Sequence, residues 1–227
     1  MVTFACSGTI AIPSQIEVTS ANSPLTIDGA GHNVILTGSG GTRLFRVGAS
    51  RSLTLRNLTL RDGRAESGGA ILAIGSSTLV LDRVTFLEHR ADLGGGALSL
   101  QSAKATIRAS RFEGNRLTSD IGGGAILSID TDLTIEASSF ISNSATIAGV
   151  SDTTGGAIAF VGGVNDAKIS NSTFVSNTAA IGGAIAGSQI DGDQSVIRLR
   201  HLTFAGNSAT NGATIATQSS TIRLANT

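Results

Sequence analysis

Carboxylates are the residues in this chain best able to do chemistry, and their spacing decides which chemistry is open to them. A sugar hydrolase needs two or three acids held a few ångströms apart, and a calcium site needs several oxygen ligands converging on one point. The densest acidic groupings are Asp130 with Asp132, Asp191 with Asp193, and Asp62 with Glu66 beside Arg61 and Arg64. Neighbouring turns could gather Asp130, Asp132 and Asp166 into a cation site, with calcium the fitting ion; solvated turns are the plainer reading. His32, His89 and His201 lie too far apart for a shared metal, and no nucleophile–His–acid set is visible. No catalytic or cofactor-binding residue is therefore expected.

Two phrases that alternate down the chain must position all of these groups. Gly-Gly-Ala occurs at Gly68-Gly69-Ala70, Gly95-Gly96-Ala97, Gly123-Gly124-Ala125, Gly155-Gly156-Ala157 and Gly182-Gly183-Ala184, with a worn copy at Asn211-Gly212-Ala213. Phe-x-x-Asn occurs at Phe112…Asn115, Phe140…Asn143, Phe174…Asn177 and Phe204…Asn207, and Phe86…His89 and Leu60…Gly63 hold the same slots earlier. Successive Phe positions from Phe86 lie 26, 28, 34 and 30 residues apart. Such a period marks stacked supersecondary units.

Before each Phe the apolar residues alternate, skip one position and resume, as in Leu79-x-Leu81-x-x-Val84-x-Phe86. Two short strands joined at a bend give that pattern. A further strand follows each Gly-Gly, and no stretch carries helical periodicity. The expected fold is all-β: a right-handed parallel β-helix of about eight coils, beginning near Val2, Pro24, Ser52, Thr78, Lys104, Asp132, Asp166 and Val196, with a fragment from Thr221. Phe86, Phe112, Phe140, Phe174 and Phe204 should form an internal column. Asn115, Asn143, Asn177 and Asn207 should form a turn ladder, through tolerance of the left-handed conformation, through amide bonding between coils, or both. The paired glycines should serve either sharp turns or coil contacts too close for a Cβ.

One β-helix domain over residues 1–227 is expected, as a section of a longer surface or secreted protein, since strand-like sequence starts at Met1-Val2-Thr3-Phe4 and the last segment stops short of its Phe. Open terminal coils of that kind suggest end-to-end self-association. Sixteen basic and sixteen acidic residues cancel, which removes electrostatic support for nucleic acid, and no apolar run reaches the length of a membrane helix. Cys6 is the single cysteine, expected as a buried free thiol.

The alternating phrases from Gly68 to Ala213 resemble the repeats of the chlamydial polymorphic outer membrane proteins. The opening Cys6-Ser7-Gly8-Thr9-Ile10 and Ile27-Asp28-Gly29-Ala30-Gly31 look like the first coils of secreted bacterial proteins of the pectin-lyase-like superfamily. The resemblance implies a bacterial exported protein, at the cell surface or outside it, often an autotransporter passenger and often adhesive. Its partners would be a host or environmental surface, a polysaccharide or another protein. The fold also carries polysaccharide lyases and glycoside hydrolases, so a carbohydrate-active enzyme stays open. So does an ice- or polymer-binding face built on Thr59, Thr85, Arg111, Ser139, Thr173 and Thr203. The insertions at Ala145–Thr154 and Val161–Asp166 are the expected partner loops.

Overall fold

The computed structural model describes residues 1–118, 121–145, 154–188, 195–218 and 221–225. All its regular elements are strands, and every pairing between them is parallel. An eight-stranded sheet takes one strand from each coil, from Ile16–Val18 through Ile71–Ile74 and Ile126–Ile129 to Ile215–Gln218. A fifteen-stranded sheet and a six-stranded sheet complete the walls. Coils open at Val2, Leu25, Ser52, Thr78, Lys104, Asp132, Asp166 and Val196, with Thr221 beginning a ninth, so the reading of about eight coils holds.

The skipped position is a backbone corner. Asn57, Arg83, Ala109, Ala137, Asn171 and His201 all have φ between 47° and 55°. Asn suits this left-handed conformation, and the other side chains hold it at a cost of about 1–2 kcal/mol each. The turn reverses which residues face inward, so the alternation resumes one position out of step.

A second corner follows the Phe. There the left-handed residue is Asp62, Glu88, Gly114, Ser142, Ser176 or Gly206, one place before the Asn slot. The ladder asparagines themselves do not adopt it, so conformational tolerance does not explain them. A third corner carries Ser76, Ser102 and Asp130 at φ of 50–58°.

The paired glycines answer a different demand. Among those in the five intact phrases only Gly68 has positive φ. A Cβ on Gly96 would come within 2.1 Å of the Gly124 carbonyl oxygen, one on Gly124 within 2.1 Å of Gly156 O, and one on Gly123 within 2.0 Å of Ile126 O. Backbone meets backbone there, with no flexible atom to yield. The second glycine of each pair is selected by close contact with the next coil, and the first by crowding against the carbonyl three residues on in its own turn.

Inside the walls runs one core of Leu, Ile, Val, Ala and Phe. Its columns are in register, as in Leu53–Leu79–Ala105–Leu133–Ala167–Ile197. Cys6 departs from expectation: it is exposed, on a first coil whose residues 5–11 are all exposed.

Candidate functional site

The Phe residues stack face to face, each in register with the next. Centroids from Phe86 to Phe174 are 4.6–4.8 Å apart with planes within 5°, and Phe204 closes the stack at 5.1 Å. Phe86, Phe112, Phe140 and Phe174 are wholly buried; Phe204 is partly so. These rings are structural.

The asparagines make a continuous chain of amide bonds. Asn115 Nδ2 donates to Asn143 Oδ1 at 2.9 Å, Asn143 to Asn177 at 2.9 Å and Asn177 to Asn207 at 2.8 Å. Each Oδ1 also accepts the backbone N–H of the rung before it, at 3.0–3.1 Å. The second amide hydrogen goes to the Phe carbonyl of the preceding coil, at 2.8–3.2 Å. The donor hydrogens and the acceptor oxygen of each inner rung are thus all used within the protein.

His89 is the first rung and copies the amide with an imidazole. Its backbone N–H donates to Asn115 Oδ1 at 3.0 Å. Nδ1 accepts from the Gly63 N–H at 2.9 Å, as an Asn Oδ1 would, and Nε2 lies 3.0 Å from Leu60 O, as an Nδ2 would. The backbone N–H at Gly63 leaves Nδ1 no proton of its own, so the ring is neutral with its hydrogen on Nε2. Burial holds its pKa down to about 4, against the raising effect of the Leu60 carbonyl. Gly63 ends the ladder, because a Cβ there would stand 2.2 Å from Gly69 O and 2.7 Å from His89 Nδ1.

Two more internal polar columns carry no sequence phrase. Ser110, Ser138 and Ser172 accept the N–H of Val84, Ser110 and Ser138 across coils at 3.1–3.2 Å, and each donates to the carbonyl two residues before it. At the third corner, Ser77, Ala103, Thr131, Asn165 and Ser195 hold equivalent places. Asn165 bonds Ser128, Thr131, Gly162 and Ser195. Ser77 Oγ, facing Ala103, is the one buried side-chain polar atom without a partner among the described residues.

The acidic groups are handled singly. Asp132 and Asp166 are register partners, but Lys104 holds Asp132 at 3.4 Å, while Lys168 at 3.5 Å and Arg198 hold Asp166. Asp130 takes a bond from Ser102 on the coil before. The three do not converge, and no group of three His, Cys, Asp or Glu able to hold a metal occurs among the described residues. Asp62 is paired with Arg61 at 2.6 Å. Asp191, Asp193 and most of the Ala145–Thr154 insertion lie outside the described residues. The other insertion is built into the third corner through Gly162, Gly163 and Asn165.

Outside, charges sit in registered columns. The column Arg56, Asp82, Arg108, Glu136, Ser170, Arg200 alternates in charge as far as Glu136, and Arg108 meets Glu136 at 3.0 Å. Two shallow grooves mark the surface. One of about 590 Å³ lies over His89, with Arg64, Arg90 and Arg116 in register on one wall and Asp62 and Glu88 on the other. The second, of about 600 Å³, lies on the fifteen-stranded sheet around Lys168, Arg198 and Arg200. The Thr59-to-Thr203 column is also in register, with Arg111 breaking it.

Residues 43–227 match the family described as the right-handed β-helix region. The chain belongs to that family. No curated protein and no solved structure matches it. As a right-handed β-helix, the chain has the hand expected of strand–crossover–parallel-strand connections. The match begins in the second coil, 25 residues before Gly68, and spans all of the repeat phrases. No helix of the described residues is long and apolar enough to cross a membrane.

Proposed function

We propose that this β-helix is a non-catalytic scaffold of a bacterial cell-surface or secreted protein, similar in kind to adhesins and autotransporter passengers, that presents its outer faces to another surface. The observation carrying this reading is the division of labour between inside and outside. Inward residues are committed to stacked rings and closed hydrogen-bond ladders, while the acids outside that could do chemistry are paired with cations or stand apart. A hydrolase needs two carboxyl groups facing one bond across a few ångströms, and a lyase needs a base beside a metal or another charge sink. Where carboxylates do lie side by side, at Asp132 with Asp166 and at Asp62 with Glu88, all but Glu88 are held by a cation.

Incubation with polyuronates and neutral glycans, with and without calcium, should release no unsaturated or reducing sugars. Reproducible release that is abolished by Asp130→Ala or Asp166→Ala would replace the scaffold with a carbohydrate-active enzyme.

A further inference from the structure

The outward face of the fifteen-stranded sheet, ahead of its bend, falls into two stretches of opposite character. From Leu25 to Glu136 the outward positions carry Arg56, Lys104 and Arg108 against Asp28, Asp82, Asp132 and Glu136, one negative charge in excess. From Asp166 to Ala225 they carry Lys168, Arg198, Arg200 and Arg223 against Asp166 alone, three positive charges in excess. The chain as a whole is neutral.

Lys168, Arg198 and Arg223 are direct register partners on three successive strands, about 4.8 Å apart. Like charges placed opposite one another in a sheet cost stability, and in the earlier coils the same sheet avoids that by alternation. Here one carboxylate, Asp166, serves both Lys168 and Arg198. Arg200 and Arg223 are exposed and have no ion-pair partner among the described residues. The second groove runs across this stretch, and Thr134, Ser170 and Asn171 line it beside the cations. Glu136, which also lines it, is already held by Arg108.

We infer that this groove binds an acidic polysaccharide lying along the rod axis, its carboxylate or sulfate groups meeting Lys168, Arg198 and Arg200 in the groove and Arg223 beyond it on the next strand, and its hydroxyls meeting Thr134, Ser170 and Asn171. The cations recur once per coil, which suits a polymer charged on successive units. Hydroxyl and amide neighbours suit a hydroxyl-rich chain. A single-stranded nucleic acid would call for aromatic platforms; the chain has no Trp or Tyr, and six of its eight Phe are fully buried. The inference rests on the scaffold reading and names its ligand. Its failure would leave that reading standing, since product release tests the latter separately.

The test is binding of the whole chain to heparin and to a polyuronate at several salt concentrations, beside neutral dextran and a single-stranded oligonucleotide of equal charge. Both acidic glycans should bind with salt-dependent affinity, and dextran should not. The pair Arg200→Gln and Arg223→Gln should weaken binding at least about tenfold and flatten the salt dependence. Arg90→Gln, on the six-stranded sheet, should leave binding within about twofold. Arg200→Lys with Arg223→Lys, which keeps the charge if the Gln pair unfolds, should bind like the parent. Unchanged affinity in a folded Gln pair, equal loss in Arg90→Gln, or tighter binding of the oligonucleotide than of either glycan would overturn the assignment.

Discussion

Two corners of the rod solve the same problem in opposite ways. Both must satisfy buried backbone groups at every coil, without water. The second corner repeats one device: from Asn115 to Asn207 each amide bonds the next, and His89 reproduces the pattern with an imidazole. The third corner improvises with Ser77, Ala103, Thr131, Asn165 and Ser195, and at Ser77 it leaves one hydroxyl unpaired. A repeated device is cooperative, because each rung is donor to one neighbour and acceptor from the other. An improvised corner accommodates insertions such as Val161–Asp166, but its bonds between rungs run only from Thr131 through Asn165 to Ser195 and leave Ala103 and Ser77 outside. Regularity therefore serves stability, and irregularity marks where the coil length can vary.

The largest expected effect that would break this contrast lies in the ring stack beside the second corner. Phe140→Ala should cost about 3–5 kcal/mol by opening a cavity between Phe112 and Phe174. In hydrogen exchange, protection should fall at Asn143 and Asn177 before it falls at Asn165. A mutant with the parental urea midpoint would mean that the rings do not support the ladder.

Acid should act on the same corner through His89. Its folded pKa, depressed to about 4 by burial, lies below the roughly 6.5 of an unfolded chain. The unfolded state thus takes up the proton first as pH falls. The contribution of the neutral ring is complete above about pH 6.5 and declines to about pH 4, by about 3 kcal/mol in all. His89→Asn, which keeps both bonding roles without a titratable group, should remove that part of the pH dependence. Identical pH profiles for the two proteins between pH 7 and 4 would contradict the neutral-rung assignment.

A smaller change sharpens the contrast from the other side. Ala103→Ser places a hydroxyl in the coil next to the unpaired Ser77 Oγ. It should raise stability by about 0.5–1.5 kcal/mol if the new pair forms. A loss instead would show that the third corner has no room for a ladder.

What the sequence revealed follows the same division. Phe and Asn columns were legible because one residue type recurs at one place in every coil. Coil starts were legible for a related reason: only one register keeps each apolar column facing inward, so eight of nine starts fall on the observed strand and Pro24 misses by one. The role of Asn was half legible; the backbone angles give the left-handed conformation to Gly114, Ser142 and Ser176, which leaves hydrogen bonding as the reason for the amide. Gly-Gly was likewise ambiguous until the distances from each would-be Cβ decided for close packing. The first corner was legible as a bend at the skipped position, but its left-handed backbone was not, because residues as unlike as Arg83, Ala137 and His201 occupy that one state. The third corner keeps no one residue type from coil to coil, so no phrase announces it. The suggested gathering of Asp130, Asp132 and Asp166 failed because register neighbours supply cations as readily as carboxylates, and Lys104, Lys168 and Arg198 reach the acids first.

The central claim is that the inside of this rod carries its stability and leaves the outside free to make contacts. Urea unfolding of Asn143→Ala beside Glu136→Gln tests it most directly, since the two residues lie one turn apart in the same coil. Asn143→Ala orphans the Asn115 amide and should cost about 1–3 kcal/mol. Glu136→Gln loses only the exposed pair with Arg108 and should cost less than about 0.5 kcal/mol. Equal losses, or a larger one at Glu136, would contradict the account.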